Sequence, residues 1–308
     1  MQNKNEQPLS LKRVILTSFL VDILDLLTSV IVAWLSGSVV MLTQALEGLT
    51  DLVSSGVLVL GLRRSLRKED RMHPFGYGRE IYFWTLISAL VMLGSSAVLS
   101  IYFGYQRFIH PHAIEDMPYA LGVLLITIFT NGYAFMLSYK RLVKHRPARN
   151  IIQIFYLSSL VEIKTTFILD LMGTCASFLG IVALGLYVIT GDSRYDGLGA
   201  MIIGTMLIAF GILLIEGIRD LLVGRSAPAH IEAKIKEGAL KVPEVDDVLG
   251  IKTVHMGSER LLVALDVHMK SNLRTRELEE LMDEIKDEVR AAVPSVKYIQ
   301  VELETRER

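Results

Sequence analysis

Six apolar segments constrain the fold of this 308-residue chain more than any other feature of its sequence. A helix needs about 20 apolar residues to cross the hydrocarbon core of a bilayer, and each segment reaches that length. The six segments are Val14–Leu35, Val39–Leu62, Tyr82–Phe108, Tyr119–Leu142, Phe155–Ile189 and Leu198–Val223. They predict an all-α bundle of six transmembrane helices in a lipid bilayer. Because the first segment lacks a small-residue cleavage site, we interpret it as a retained helix.

Basic residues between the segments indicate how the bundle is oriented. The loops after the second and fourth segments carry clusters of Lys and Arg, and Arg219 and Arg225 stand at the end of the sixth. The alternate loops, Gly37–Ser38, Ile109–Met117 and Thr190–Tyr195, are nearly free of both residue types. By the positive-inside rule, both termini are expected in the cytosol. We expect a bacterial inner or plasma membrane.

A change in charge density divides the chain into two domains. Residues 1–227 form the predicted transmembrane domain, and residues 228–308, dense in Lys, Arg, Asp and Glu, form a cytosolic domain. The second domain reads helix, strand, strand, helix, strand, which predicts a small α+β fold of the αββαβ, ferredoxin-like kind. Alternation predicts one apolar face on each of the last two strands, with Val263, Leu265, Val267 and Met269 on the second strand and Ile299, Val301 and Leu303 on the third. At about 80 residues the core is marginal, so pairing with a second copy is plausible.

Several function classes are disfavoured by composition and motif content. The net charge of −1 lacks the basic excess that nucleic-acid binding needs. Cys175, the single cysteine, lies in an apolar segment and is expected to pack between helices. The sequence carries no H-E-x-x-H, no G-x-S-x-G and no G-x-x-x-x-G-K-[ST] motif, so we expect neither an enzyme nor an ATP-driven pump.

Carboxylates inside the apolar segments are the strongest functional signal. An ionisable side chain in hydrocarbon costs about 2.5–3.5 kcal/mol on insertion scales and is therefore a functional candidate. Glu47 and Asp51 are one turn apart on one helix face, where they repel unless a proton or a cation lies between them. Such a pair suits a hard divalent cation, although neighbouring helices could also satisfy it structurally. Asp22, Asp25 and Asn131 are expected to serve packing or a proton route.

The fifth segment supplies a second polar stripe. Asp170, Thr166 and Glu162 follow one another at intervals of four residues, and Asp170 is the best ligand candidate among them. Thr166 either offers its hydroxyl or bonds to its own helix backbone, and Glu162 lines an entrance. Lys164 either pairs with a charge or extends its ammonium to the membrane surface, and we expect the second.

These features together resemble the cation diffusion facilitators. Glu47-x-x-x-Asp51 stands in the second segment and Thr166-x-x-x-Asp170 in the fifth. The loop between the second and third segments reads Asp70-Arg-Met-His73-Pro-Phe-Gly-Tyr77-Gly-Arg-Glu80, similar to the family signature D-x-x-H-P-x-G-H-G-[KR]-x-E. With the αββαβ tail after the sixth segment, the resemblance covers nearly the whole chain.

The resemblance implies a homodimer in which the second and fifth helices build a tetrahedral metal site. Its ligands carry over as Glu47, Asp51 and Asp170, with Thr166 in the fourth position. Each protomer would alternate between inward and outward faces and exchange the metal for protons.

Two further family sites are altered in this sequence. The resemblance implies a loop site at Asp70 and His73, but its third position is Tyr77, whose neutral phenol is a poor ligand. Family tail sites use several histidines, and we expect the tail site here to be weak or absent. The polar residues that the tail offers instead are Asp266, Gln300 and Glu302.

The ligand set favours certain cargo ions. Zinc-selective family members place a histidine on the fifth helix, where this chain has Thr166. Zinc prefers nitrogen and sulfur ligands, so an all-oxygen set favours Mn²⁺, Fe²⁺ or Mg²⁺, with Zn²⁺ and Co²⁺ as further candidates. We expect no resident cofactor.

The sequence therefore predicts a secondary transporter that exports a divalent cation from the cytosol in exchange for protons. Like charges in a dry site favour proton uptake once the metal has left, and no ATP is needed. The alternative is a non-transporting or regulatory subunit that dimerises with an active relative, an alternative favoured by Thr166, Lys164 and Tyr77.

Overall fold

The computed structural model describes residues 11–143, 161–270 and 274–305. Its first part is helical throughout, and the second segment begins at the residue that the sequence predicts, Val39. The helices are α1 Leu11–Ser36, α2 Val39–Ser65, α3 Glu80–Met92, α4 Val98–Ile109, α5 Met117–Val143, α6 Val161–Thr190 and α7 Arg194–Val223. The predicted fifth segment begins at Phe155, so its first residues lie outside the described part.

Length and composition mark most of these helices as membrane spans. Within the described residues, five stretches are long and apolar enough to cross a membrane: α2, α3 with α4 (Glu80–Ile109), α5, Ile163–Thr190 of α6, and α7. Helix α1 is 26 residues long. The predicted all-α transmembrane part of the fold is confirmed.

A single π-helical turn, Leu93–Ala97, joins α3 to α4. The turn presents Ser96 to α2, where its hydroxyl donates to the carbonyl of Leu46 at 2.8 Å and meets the hydroxyl of Thr50. Turns of this kind inside α-helices are frequent at functional sites. Here the turn fixes α3 and α4 against the part of α2 that carries the predicted ligands.

Helices α4 and α7 approach each other through glycine. A Cβ on Gly104 would lie 2.7 Å from the carbonyl oxygen of Gly197, and a Cβ on Gly197 would lie 2.6 Å from that of Gly104. Any side chain at either position would force the backbones apart, so both positions require glycine. Small residues at helix contacts permit this close packing in lipid.

A buried carboxylate caps the N-terminus of α2. Asp196, in the first turn of α7, accepts hydrogen bonds from the hydroxyl of Ser38 at 2.6 Å and from the backbone amides of Val39 and Val40 at 2.8 and 2.9 Å. Arg107 of α4 lies 3.6 Å from the same carboxylate. The first turn of a helix leaves amides without partners, so Asp196 satisfies donors that would otherwise be buried unpaired.

The tail forms a three-stranded sheet with two helices. Its elements are α8 Ala229–Ala239, β1 Val245–Gly257, β2 Arg260–Met269, α9 Thr275–Ala292 and β3 Val296–Leu303. Strand β1 pairs antiparallel with β2, and β2 pairs parallel with β3, in the order β1-β2-β3. The predicted αββαβ fold is confirmed.

The core of the tail lies where the alternation predicts it. Val263, Leu265 and Val267 are fully buried against Ile285 and Val289 of α9. Met269, Ile299 and Val301 are partly buried against this core, and Leu303 at the end of β3 is 47% exposed.

The described residues fall into two compact units. The first contains the chain up to Leu60, the helices from Trp84 to Val143, and Glu162 to Glu216. The second contains Gly61–Phe83 and the chain from Gly217 onward, so the loop after α2 belongs to the same unit as the tail.

Candidate metal centre

Glu47 and Asp51 of α2 lie one helical turn apart, as the sequence predicts. Glu47 is only 5% exposed, and its Oε2 accepts a hydrogen bond from the Gln44 amide at 3.4 Å. Gln44 is held from the other side by Ser177 of α6, whose hydroxyl donates to its Oε1 at 3.1 Å. The second oxygen of Glu47, Oε1, is buried and has no hydrogen-bond partner among the described residues.

A small cavity adjoins these carboxylates and is lined by α1, α2 and α5. Besides Glu47 and Asp51, its walls include Asp22 and Asp25 of α1 and the amide of Asn131 on α5. The cavity measures about 30 Å³. One water needs roughly 10–15 Å³ on this scale, so the cavity holds about two waters or one partly hydrated ion.

Asp170 of α6 lies near this cluster and is anchored on its other side by α5. Its carboxylate accepts a hydrogen bond from Ser138 and interacts electrostatically with Arg141. Its charge also acts on Asp51 and Asp22, so α1, α2 and α6 bring their carboxylates into one electrostatic cluster.

Thr166 lies one helical turn from Asp170 on α6. It lines a separate cavity of about 190 Å³ together with Ser138, Arg141 and Ile163.

Lys164, one helical turn from Ile168, is 2% exposed. The expectation that Lys164 reaches the membrane surface is therefore wrong, because its side chain is enclosed by protein.

Direct ligation of one ion by three side chains is not found in this conformation. Across residues 11–143, 161–270 and 274–305, no three His, Cys, Asp or Glu side chains lie close enough together to hold a metal. The predicted set of Glu47, Asp51, Thr166 and Asp170 therefore stays a prediction, with three members in one cluster and the fourth beside it.

In the loop after α2, the Tyr77 hydroxyl bonds to Asp70, whereas the resemblance implies a metal ligand at position 77. Asp70 accepts hydrogen bonds from the Tyr77 hydroxyl at 2.6 Å and from the amides of Met72 and His73 at 2.9 and 2.7 Å. The hydrogen bond from Tyr77 and those from the two amides lower the pKa of Asp70, and Asp70 in turn raises the pKa of the Tyr77 phenol. The guanidinium of Arg67 lies 5.3 Å above the Tyr77 ring. The loop is thus closed by side chains that need no metal.

The polar residues of the tail are paired with one another. Asp266 lies 3.8 Å from the ammonium of Lys252, and the amide of Gln300 donates to Glu302 at 2.7 Å. Asp266 and Glu302 are neighbours across β2 and β3. Whether the tail holds a metal stays a prediction.

Sequence reasoning did not single out two polar residues of this centre. Gln44 stands three residues before Glu47, and a polar residue at that helical spacing could have been found from the sequence. Ser138, which holds Asp170, gives no such signal because serine is common in membrane helices.

Comparison with known families decides the affiliation of the chain. Residues 15–222 match the model of the cation efflux transmembrane domain, and residues 227–305 match that of the cation efflux protein cytoplasmic domain. The chain belongs to the cation efflux family, the cation diffusion facilitators. It is an integral membrane protein, and its family is one of metal-ion transporters.

Relatives with curated names share about a quarter of the sequence. The proton-coupled zinc antiporter SLC30A9 of Xenopus laevis is 28% identical over 82% of this chain and 46% of its own length. The human protein of the same name is 27% identical over 82% of this chain and 45% of its own length. The zinc transporter ZitB of Yersinia pestis is 23% identical over 80% of this chain and 75% of its own length. The chain therefore spans less than half the length of the SLC30A9 relatives.

Among solved structures, the nickel form of a MamM CTD variant matches 26% of this chain and all of its own, at 18% identity and a TM-score of 0.25. The fold of the tail rests on its own strand order and not on this likeness.

Proposed function

We propose that this protein exports a divalent metal cation from the cytosol in exchange for protons, through an oxygen-rich site between α2 and α6. The observation that carries the proposal is the cluster of carboxylates in which Glu47 is buried and its Oε1 has no hydrogen-bond partner among the described residues. An anionic oxygen kept from water is strongly disfavoured unless a cation or a proton neutralises it. Membership of a family of cation efflux proteins makes a transported metal ion the natural partner.

The proton half of the exchange follows from the same cluster. When the metal leaves, the charges of Glu47, Asp51 and Asp170 repel one another, Arg141 beside Asp170 offsets only part of that charge, and protons restore neutrality. Binding of the next metal displaces these protons. Proton coupling is also the activity printed in the name of the SLC30A9 relatives, which supports the proposal for this chain.

The cargo belongs to the divalent transition metals or Mg²⁺. The cluster presents only oxygen ligands, which favours Mn²⁺, Fe²⁺ or Mg²⁺, whereas the named relatives are zinc transporters. Zn²⁺ and Co²⁺ therefore belong in any comparison. The metal is the substrate, and the proposal includes no resident cofactor.

The proposed assembly is a homodimer with six spans per protomer and both termini in the cytosol of a bacterial cell. The match to the cytoplasmic domain of cation efflux proteins supports pairing through residues 228–308. The basic loops after α2 and α5 support the orientation.

Transport into proteoliposomes under a pH gradient tests the proposal. Purified protein should carry at least one of Zn²⁺, Mn²⁺, Fe²⁺, Co²⁺ and Mg²⁺, and Asp51→Asn and Asp170→Asn should each abolish that flux. If no cation moves, or if the flux survives both substitutions, the proposed function is wrong and a non-transporting subunit becomes the better account.

A further inference from the structure

Helix α1 contributes two carboxylates to the cavity beside the proposed transport site. Asp22 and Asp25 line it opposite Glu47 and Asp51, and the Thr130 hydroxyl of α5 donates to Asp25 at 3.3 Å. Asp22 also acts electrostatically on Asp51. The transport site described above uses α2 and α6 and gives these two residues no task.

The cavity lacks a counter-charge of its own. Among the described residues that line it, four are Asp or Glu and none is Lys or Arg. One of the four, Glu47, is 95% buried and presents an oxygen without a hydrogen-bond partner. Four acidic groups in so small a space require cations or protons, because like charges at short range repel strongly outside bulk water.

The size of the cavity and the spacing of its carboxylates determine how much of its water shell a bound ion keeps. The cavity has room for about two waters. No three acidic side chains in the described part of the chain reach ligating spacing, so an ion in the cavity must keep part of its water shell. Hard divalent cations such as Mg²⁺ retain waters readily and bind through one or two carboxylates.

We propose that Asp22 and Asp25, together with Glu47 and Asp51, form a subsite that holds a partly hydrated divalent cation between α1 and α2. The inference rests on the proposed function and extends it by a step: the ion occupies this hydrated subsite before or after it is held between α2 and α6. The two subsites share the α2 carboxylates, so the ion can pass from one to the other while it stays beside Glu47 and Asp51.

Electron paramagnetic resonance of bound Mn²⁺ tests the subsite directly. Mn²⁺ added to the purified protein should give a bound signal that broadens in ¹⁷O-enriched water, since water ligands remain on the ion. In Asp22→Asn/Asp25→Asn, the affinity for Mn²⁺ should fall about 10–100-fold, as is typical when groups that hold a metal through water are removed. The concentration for half-maximal Mn²⁺ uptake should rise by a similar factor.

Matched variants separate this role from packing and from the proposed function. Glu216→Gln removes an exposed carboxylate of α7 and should leave Mn²⁺ affinity unchanged. Asp22→Glu keeps the charge and should retain most of the affinity, which shows that a loss in the Asn variant is not a folding defect.

If the double variant binds and carries Mn²⁺ as the wild type does while Asp51→Asn loses both, the α1 subsite is refuted and the transport function stands. If the wild type carries no ion yet binds Mn²⁺ in an Asp22-dependent way, the transport proposal fails alone.

Discussion

The cap that Asp196 forms on α2 permits a quantitative prediction of stability. In Asp196→Ala, three accepted hydrogen bonds are lost and Arg107, whose side chain is 9% exposed, loses its carboxylate. Loss of a helix cap costs about 0.5–2 kcal/mol, and breaking a buried ion pair from one side costs about 3–5 kcal/mol. Arg107 still donates hydrogen bonds to the carbonyls of Gly37 and His112, which reduces the cost of breaking the ion pair.

We therefore expect Asp196→Ala to lower the free energy of unfolding by about 3–4 kcal/mol. At about 2–4 °C per kcal/mol for a domain of this size, the apparent Tm should fall by roughly 6–16 °C. Fluorescence-detected thermal unfolding in detergent, at one scan rate for all variants, measures the shift. The scan rate is fixed because membrane proteins often unfold irreversibly.

Two further variants make the measurement specific. Asp192→Ala removes a nearby carboxylate that, within the described part of the chain, accepts a hydrogen bond from the amide of Arg194 alone, at 3.0 Å, so its effect should stay below about 1 kcal/mol. Arg107→Leu combined with Asp196→Ala should destabilise less than the sum of the two, because the pair acts as a unit. A Tm for Asp196→Ala within about 2 °C of the wild type would refute the cap as a determinant of stability.

The loop after α2 supports three further predictions. Tyr77→His should add a Zn²⁺ site measurable by calorimetry, because the Tyr77 ring lies 4.2 Å from that of His73 and beside Asp70; unchanged stoichiometry would contradict this. The lowered pKa of Asp70 means that the hydrogen bond from Tyr77 contributes fully above the ordinary value of 3.8 and is lost only as the pH falls through the lowered pKa. Because Asp70 raises the pKa of Tyr77, this hydrogen bond persists at pH values above 10.0, the ordinary pKa of tyrosine. Asp70→Asn should therefore shift one tyrosinate transition, recorded at 295 nm, to lower pH. Gly78→Ala should displace the turn after β1, because a Cβ there meets the carbonyl of Met256, and it should speed proteolysis at that turn; an unchanged digestion pattern would count against the contact.

Helix lengths and strand alternation were predictable because each depends on local sequence. Segment two was expected at Val39–Leu62 and forms α2 at Val39–Ser65. The burial of Val263 and Val267 follows directly from the period of two in a strand.

The arrangement of the helices around the site was not predictable from one sequence. Periodicity shows which face of α2 carries Glu47, but it does not show that α1 and α5 line the adjoining cavity. The membership of Thr166 in the ligand set stays a prediction, and in the structure Thr166 lines a cavity with Ser138 and Arg141, which also act on Asp170. The enclosure of Lys164 also depends on neighbours that no local pattern reveals.

Tyr77 stands where the family signature has histidine, and the consequence could be predicted only in part from the sequence. The phenol could be recognised as a poor metal ligand. That it donates a hydrogen bond to Asp70 and so closes the loop required the structure.

Simultaneous recording of metal entry and proton exit in one population of proteoliposomes tests exchange at the acidic cluster most directly. With a metal-sensitive dye and a pH-sensitive dye trapped inside, addition of the transported cation outside should produce metal uptake coupled to proton release. Both signals should vanish together in Asp51→Asn. Metal uptake without proton movement, or undiminished signals in Asp51→Asn, would contradict the account.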